Sequence, residues 1–466
     1  MFFDTNRFHI LVQITWQFSI FSATQQIFPI FSNYVPKFKC GNGEVTSSCD
    51  VYNQCSPKNI TFVDVAFESA ALEYKWFCNS YHGSYFTQIQ YTGVLIGTIL
   101  FGTISDAIGR RPVSIFVLTL GIMTTASSAC VLSITLLFVL RFFVGLSIGG
   151  TVVVVYTYVM EMLLPKQRMT LRGFFNWGIA RFILTLICWM LPEWRRASIG
   201  CALSTLPALL LILFVLPESP TWLHSKGNLE GMRQSEMHIA KVAGIEYIPV
   251  EHDEVVVNKS LSEVLRTKSL LPRLSVLWLM WFVACICSYA TDLNSNTIYG
   301  NLYVNQVVYA LLITLSKWLL VAVDTYVPNF SRRTLHQGAQ FIVCVCFSVL
   351  TLLTIYGYTG YVTLIVNVTG TVFIEYTWDA CYLCAIESME TSCRASATGT
   401  CSLVARVGSI LAPMIGQFSR SWPPLVYLTV VLLGLINLIV SCLFLHETKH
   451  VNLDTVGNKD NELEMD

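Results

Sequence analysis

The chain has 466 residues, 54% of them hydrophobic and 12% charged, and its 29 basic and 29 acidic residues give a formal net charge of zero. Soluble domains carry about 25% charged residues and a nucleic-acid partner calls for a basic face, so this balance argues against a soluble enzyme, a disordered scaffold and a nucleic-acid binder. Mean hydropathy is +0.58, and the apolar residues gather in runs of about 20, the length a bilayer-spanning helix needs.

In chain order the runs are 8–30, 85–105, 113–132, 134–160, 170–191, 197–216, 273–291, 302–326, 338–357, 360–386, 396–418 and 424–445. They predict an all-α membrane protein with twelve spans. The first run carries Gln13, Gln17, Gln25 and Gln26, a polar stripe expected of a helix face that lines a cavity rather than lipid. It is too long for a cleavable signal peptide and lacks the basic leader. Polar stretches at 31–84 and 217–272 break the series. The second divides the spans six and six, which suggests a duplicated architecture: a bundle over 1–216 with its 31–84 loop, a linker over 217–272, a bundle over 273–446, and an acidic tail over 447–466.

Lysine and arginine concentrate in the loops after spans 2, 4, 8 and 10 and in the central stretch, which predicts cytoplasmic termini. Arg195 and Arg196 fall on the other side and argue against it. Cys40, Cys49, Cys55 and Cys78 cluster in the 31–84 stretch, which would then be extracellular, where disulfides persist; four cysteines allow three pairings. Asn59-Ile60-Thr61 is a glycosylation acceptor in the same loop. Most other cysteines lie inside spans and are expected to pack as small apolar side chains. No metal and no cofactor are expected: the histidines show no ligand spacing, and no phosphate-binding glycine loop is present.

The loop after span 2 reads Gly102-Thr-Ile-Ser-Asp106-Ala107-Ile-Gly109-Arg110-Arg111-Pro112. Glycine permits a tight turn with positive φ, the acid can pair or cap, and the arginines can dock on the opposite bundle, together forming a conformational latch. Glu161 closing span 4, Glu387 closing span 10 and Arg394 beyond it extend that set. This loop resembles the signature of the major facilitator superfamily, with Ala107 in place of its usual basic residue. Pro192-Glu193-Trp194-Arg195, the Pro217-Glu218-Ser219-Pro220 segment running on to Trp222 and Gly227, Glu447-Thr448-Lys449 and the cysteine-bearing first loop narrow the resemblance to the organic cation, anion and carnitine transporters. The resemblance implies two six-helix bundles rocking about a central site without covalent chemistry. The second-half turn departs from the family at Ser331 and the close of span 10 at Glu390.

An ionisable residue inside a span costs at least ~2.5–3.5 kcal/mol on insertion scales, so Arg181, Lys317, Glu375, Asp379 and Arg406 each need a reason. Lys317 and Arg406 can present positive charge to an anion or zwitterion, arginine through a bidentate fork. The alternative is internal pairing with Glu375 and Asp379, which share a helix face; pairing is the expectation for Arg181. The resemblance adds that Arg406 stands where the anion and carnitine branches carry arginine and the cation branch aspartate. Lys317, eleven residues after Gln306, stands where the anion branch has lysine. Trp177, Tyr289, Tyr303 and Tyr376 lie in spans that the family uses to line its cavity, and aromatic rings suit a flat organic ion. Asp292 is expected to be a solvated loop acid, and Gly145, Gly149 and Gly150 serve helix packing or helix sliding.

The sequence therefore predicts a multi-pass plasma-membrane carrier of small organic ions, most of all anions or zwitterions, working by facilitated diffusion or by exchange against a counter-ion. The alternatives are an organic cation carrier of the same fold and a non-transporting receptor or scaffold that keeps it.

Overall fold

The structure, a computed structural model, describes residues 6–46, 49–56, 59–76, 81–163, 176–249, 270–327, 330–389, 394–419 and 422–445, with side chains described except at 49, 50, 53, 325, 386, 387, 394 and 395. Among these residues twelve long helices fall over the twelve predicted runs: α1 (Arg7–Ala23), α2 (Tyr81–Ile108), α3 (Arg110–Ser128), α4 (Ile134–Glu161), α5 (Trp177–Met190), α6 (Trp194–Phe214), α7 (Leu270–Leu293), α8 (Leu302–Tyr326), α9 (Arg332–Ile355), α10 (Tyr361–Glu387), α11 (Arg394–Phe418) and α12 (Leu425–Phe444). Eight helices among the described residues are long and apolar enough to cross a membrane. Of the other four, α1 has 17 residues, α5 has 14, α3 opens on an arginine pair and α10 carries three acids, Glu375, Asp379 and Glu387.

Local sequence accounts for the ends. Asn6 caps α1, accepting from the His9 amide at 3.0 Å, while its own amide donates to His9 Nδ1 at 3.3 Å. The first run does not continue unbroken to residue 30. Helix α1 stops at Ala23, a tight turn over Thr24–Gln26 follows, and Pro29 opens a separate turn over Pro29–Ser32; a proline lacks the amide that an uninterrupted helix would need there. In α4 the backbone widens to a π-turn over Thr151–Val155, directly after Gly149 and Gly150.

Two compact units emerge, residues 1–251 with 301–314 and residues 252–300 with 315–466, so the second boundary falls within α8. In the first unit α2 and α4 meet along glycines. A Cβ on Gly145 would fall onto the Gln90 carbonyl, and one on Gly93 onto that of Phe142. The small-residue run of α4 is therefore a packing seam inside one unit. In the second unit Cys381, Cys384 and Cys401 pack beside Trp281 and Leu277 as small core residues.

The 31–84 stretch carries a two-stranded antiparallel ribbon, an addition to the all-α reading. Strands β1 (Phe38–Cys40) and β2 (Ile60–Phe62) pair Phe38 with Phe62 and Cys40 with Ile60. Cys40 is disulfide-bonded to Cys55, 15 residues on; Cys49 has no described side chain and Cys78 lies outside the described residues. A clasp fixes this stretch to α6. Glu73 accepts from Trp194 Nε1 at 2.7 Å and from Arg195 Nη2 at 2.5 Å, and Arg195 also donates to the Val131 carbonyl at 2.7 Å. Arg196 pairs with Glu193 at 2.7 Å. The two arginines that run against the basic-loop pattern are thus neutralised or engaged where they stand. Burial alone would raise the Glu73 carboxyl, but the hydrogen bonds from Arg195 and Trp194 outweigh it and hold the group below its ordinary value.

In the linker, Ser219 caps a short helix over Pro220–Ser225, and Asn228 caps a helix over Leu229–Ala243 that ends on Gly244 at φ +74°. Ile239, Val242 and Ala243 join the first unit's core. The tail after residue 446 lies outside the described residues.

Candidate functional site

Helix α10 carries Glu375 and Asp379 four residues apart, which sets them on one face. Both reach Lys317 of α8: Nζ lies 3.1 Å from Glu375 Oε2 and 2.7 Å from Asp379 Oδ2. Tyr376 donates to the Ser316 carbonyl at 3.2 Å, beside this triad. One ammonium against two carboxylates leaves a formal charge of minus one. Lys317 is therefore an internally paired group rather than a free positive centre.

Arg406 lies half-buried on α11, among Tyr289 and Cys285 of α7 and Tyr382 of α10, and hydrogen-bonds to Tyr289. Tyr382 packs against Trp281 with ring centroids 4.4 Å apart, and Trp378 closes the aromatic group at 5.6 Å from Trp281. Glu375, Asp379 and Tyr382 are spaced by four and then three residues, so one stripe of α10 links the triad to the surroundings of Arg406. Asp292, expected in a solvated loop, is 5% exposed and ends α7. The helix runs past the apolar limit from which its boundary was judged and carries the acid into the protein.

In the first unit Arg181 is 1% exposed. Its Nη2 and Nε donate to Gln306 Oε1 at 2.8 and 3.1 Å, and its guanidinium lies over Tyr309. Tyr303 is spent structurally: its hydroxyl donates to the Ala66 carbonyl at 2.8 Å and its ring stacks on Phe31. Trp177 follows the capping residue Asn176 and packs at the edge of the same apolar cluster. These two rings brace the unit, while Tyr289 and Tyr376 sit beside charged groups. Sequence reasoning missed a sixth charge in a span, Arg141, which is 0% exposed on α4. The criterion that found the other five, an ionisable residue deep in an apolar run, would have found it.

The latch loop is cross-linked within its own unit. Gly109 takes φ +120°, and Glu218 caps the start of α3 by accepting from the amides of Arg110 at 3.0 Å and Arg111 at 3.1 Å. Arg110 bonds Asp106 at 2.5 Å, Ser105 at 2.9 Å and Glu161 at 3.4 Å. Glu161 also accepts from Ser219 at 2.5 Å. Arg111 donates to the carbonyls of Leu213 and Ile212 at the end of α6, at 2.7 and 3.2 Å. Within this unit, then, both arginines of the loop are engaged, Arg110 by Asp106 and Glu161 and Arg111 by the carbonyls that end α6. A Cβ added at Gly102 would meet, among the described residues, the Val153 side chain at an ordinary contact distance of 3.6 Å. In the second unit Arg332 pairs with Asp324 at 2.6 Å. The side chains of Glu387 and Arg394, and all of Glu390, lie outside the described residues.

Residues 54–459 match the model of a family described as sugar (and other) transporter. The chain belongs to that family. An uncharacterized Caenorhabditis elegans protein is 36% identical to this transporter, the alignment covering 97% of this chain and 94% of the other. Solute carrier family 22 member 16 of Xenopus laevis is 24% identical over 80% of this chain and 67% of its own length. The fold is that of the major facilitator superfamily: the partially occluded, inward-open xylose transporter XylE from E. coli superposes with a TM-score of 0.66 at 13% identity, covering 96% of this chain and 100% of that one. The transporter is thus a multi-pass membrane carrier of small substrates, not an enzyme. Its charged residues are to be read as binding, pairing and gating groups.

Proposed function

We propose that this carrier moves small organic ions bearing a carboxylate, anions or zwitterions, across the plasma membrane by alternating access. Both termini are cytoplasmic in this reading, and transport runs by facilitated diffusion or against an exchanged counter-ion. The observation that carries it is Arg406. Tyr289 orients its guanidinium, both acids of α10 are engaged by Lys317, and an oriented guanidinium suits a carboxylate. The aromatic group of Trp281, Trp378 and Tyr382 supplies apolar faces for an organic body. Motifs that resemble the organic ion transporters, and relatives named as solute carrier family 22, support the substrate class. The triad's excess negative charge one turn along α10 favours a zwitterion within that class, since a cationic centre beside it would be balanced. It also sustains a second reading, an organic cation carrier.

The test is uptake in oocytes of labelled anions, cations and carnitine-like zwitterions, with Arg406→Asp alongside. Uptake of anions or zwitterions that the variant loses supports the proposal. Cation uptake that survives the substitution overturns it in favour of the second reading. No uptake by protein confirmed at the surface counts against this substrate panel altogether.

A further inference from the structure

Arg141 lies seven residues into α4, about 10 Å along the helix axis from the end at which Val131 meets the Arg195 clasp. It is 0% exposed. Its guanidinium lies over the rings of Phe28 and Phe86, at 5.2 and 4.7 Å from their centroids. Its Nη1 donates to Gln25 Oε1 at 2.9 Å. Among the described residues Nε and Nη2 have no acceptor. Those two nitrogens form one complete edge of the guanidinium, the in-plane fork with which arginine holds anions.

The surroundings are unbalanced in the same direction. Gln25 Nε2 has no oxygen acceptor among the described residues and faces the Cys201 thiol, which also neighbours Arg141. Gln90 Nε2 donates to the Gln25 carbonyl at 2.7 Å, while Gln90 Oε1 lacks a donor and contributes nothing to an anion. Three buried donor nitrogens thus stand against one buried acceptor oxygen and the weakly accepting, neutral thiol of Cys201, beside a whole positive charge. Among the described residues no carboxylate pairs with Arg141, and two aromatic faces offset only part of the cost of burying a cation.

We propose that Arg141 and Gln25 bind a small monovalent inorganic anion, chloride being the ion used to test it. A monatomic acceptor can take the fork and the amide together. It supplies the missing charge, which a neutral ligand does not, and it needs no room for an organic substituent within a fully enclosed cluster. This inference does not rest on the substrate reading and concerns a different unit of the chain.

The experiment is thermal unfolding of the purified full chain in lipid nanodiscs, with sodium gluconate exchanged for sodium chloride at constant ionic strength. The expected result is a saturable rise in the unfolding midpoint with chloride. Gln25→Glu places a carboxylate oxygen where the amide oxygen now meets Nη1. It should raise the midpoint in gluconate and abolish the chloride response. Should that variant not fold, Arg141→Lys keeps the charge and removes the fork, and should raise the half-saturating chloride by about tenfold or more. A midpoint equal in the two salts overturns the proposal. So does an undiminished chloride response in either variant, which would place the ion elsewhere.

Discussion

Lys317 Nζ stands 2.7 Å from Asp379 Oδ2 and 3.1 Å from Glu375 Oε2, so a single cation on α8 holds two acids on successive turns of α10. The three side chains are between 13% and 25% exposed. At that burial, losing one member costs more than the pair's net contribution, because the charges left behind are largely shielded from water and have lost the opposite charge that balanced them.

Lys317→Ala should therefore destabilise the fold by ~3–5 kcal/mol, the range for breaking a buried pair. Replacing the whole triad, with Lys317→Met, Glu375→Gln and Asp379→Asn, should recover most of that loss. Thermal midpoints of the two variants in one detergent decide it. A triple variant no more stable than Lys317→Ala would mean that the lysine does something other than neutralise its partners.

Tyr289→Phe tests how Arg406 is oriented. The hydroxyl is its hydrogen-bond partner from α7, and a hydrogen bond to a charged group is worth ~1.5–3 kcal/mol. The expected outcome is a rise of roughly tenfold in KM for carboxylate substrates with little change in maximal rate, since the loss falls on ground-state binding. Equal KM values for carboxylates and for substrates lacking one, before and after substitution, would remove Tyr289 from the site.

The helices were legible in the sequence because each span had to be apolar over a bilayer's width, and both glycine seams and loop motifs declare themselves as patterns. Partner choice was not. Glu375 and Asp379 had three cations to choose from, and only the fold gives both to Lys317. Tyr303 reads as a cavity ring from its span, yet its hydroxyl is taken by a loop carbonyl 237 residues away. Pairings of such sequence separation leave no local signature. Arg141 differs: its charge was visible, while its sandwiching by Phe28 and Phe86 was not.

The Glu73 clasp makes the 31–84 loop acid-sensitive. Its carboxyl is held below the ordinary value by Arg195 and Trp194 against burial. A depressed carboxylate contributes stability above its unfolded-state value, and that contribution is lost as pH falls through the folded one. Amide exchange in residues 60–76 should accelerate in that acidic window and be flat between pH 6 and 8 (roughly two to four units above an ordinary carboxylate). Glu73→Gln should exchange faster at neutral pH and lose the acid dependence. An acid transition that survives Glu73→Gln would assign it to another group.

Asn59 is exposed at the edge of the ribbon, just before β2. In the proposed orientation, with both termini cytoplasmic, it would face the outside and accept a glycan. Asn59→Gln should then remove a glycosidase-sensitive shift in gel mobility, while epitope tags on either terminus should need permeabilised cells for staining. Tags that stain on intact cells would reverse the orientation.

The α2–α4 seam predicts opposite signs for one substitution at two helical glycines. Glycine in a helix interior is less favourable than alanine by ~0.5–1 kcal/mol, and a methyl added at Gly399 in α11 would meet no atom of the described residues within 4 Å. Gly399→Ala should accordingly stabilise by about that amount. At Gly145 the same methyl would fall onto the Gln90 carbonyl and lie 3.1 Å from the Val94 amide. Both neighbours are backbone and cannot rotate away, so the helices must separate, at a cost of ~1–3 kcal/mol or more. The two helices are thus locked at contact distance. If the small-residue run served sliding instead, an added methyl would slow transport while leaving stability nearly unchanged. Thermal midpoints and uptake rates of Gly145→Ala and Gly399→Ala, measured together, separate the two roles: a packing seam gives a lower midpoint at 145 and a higher one at 399.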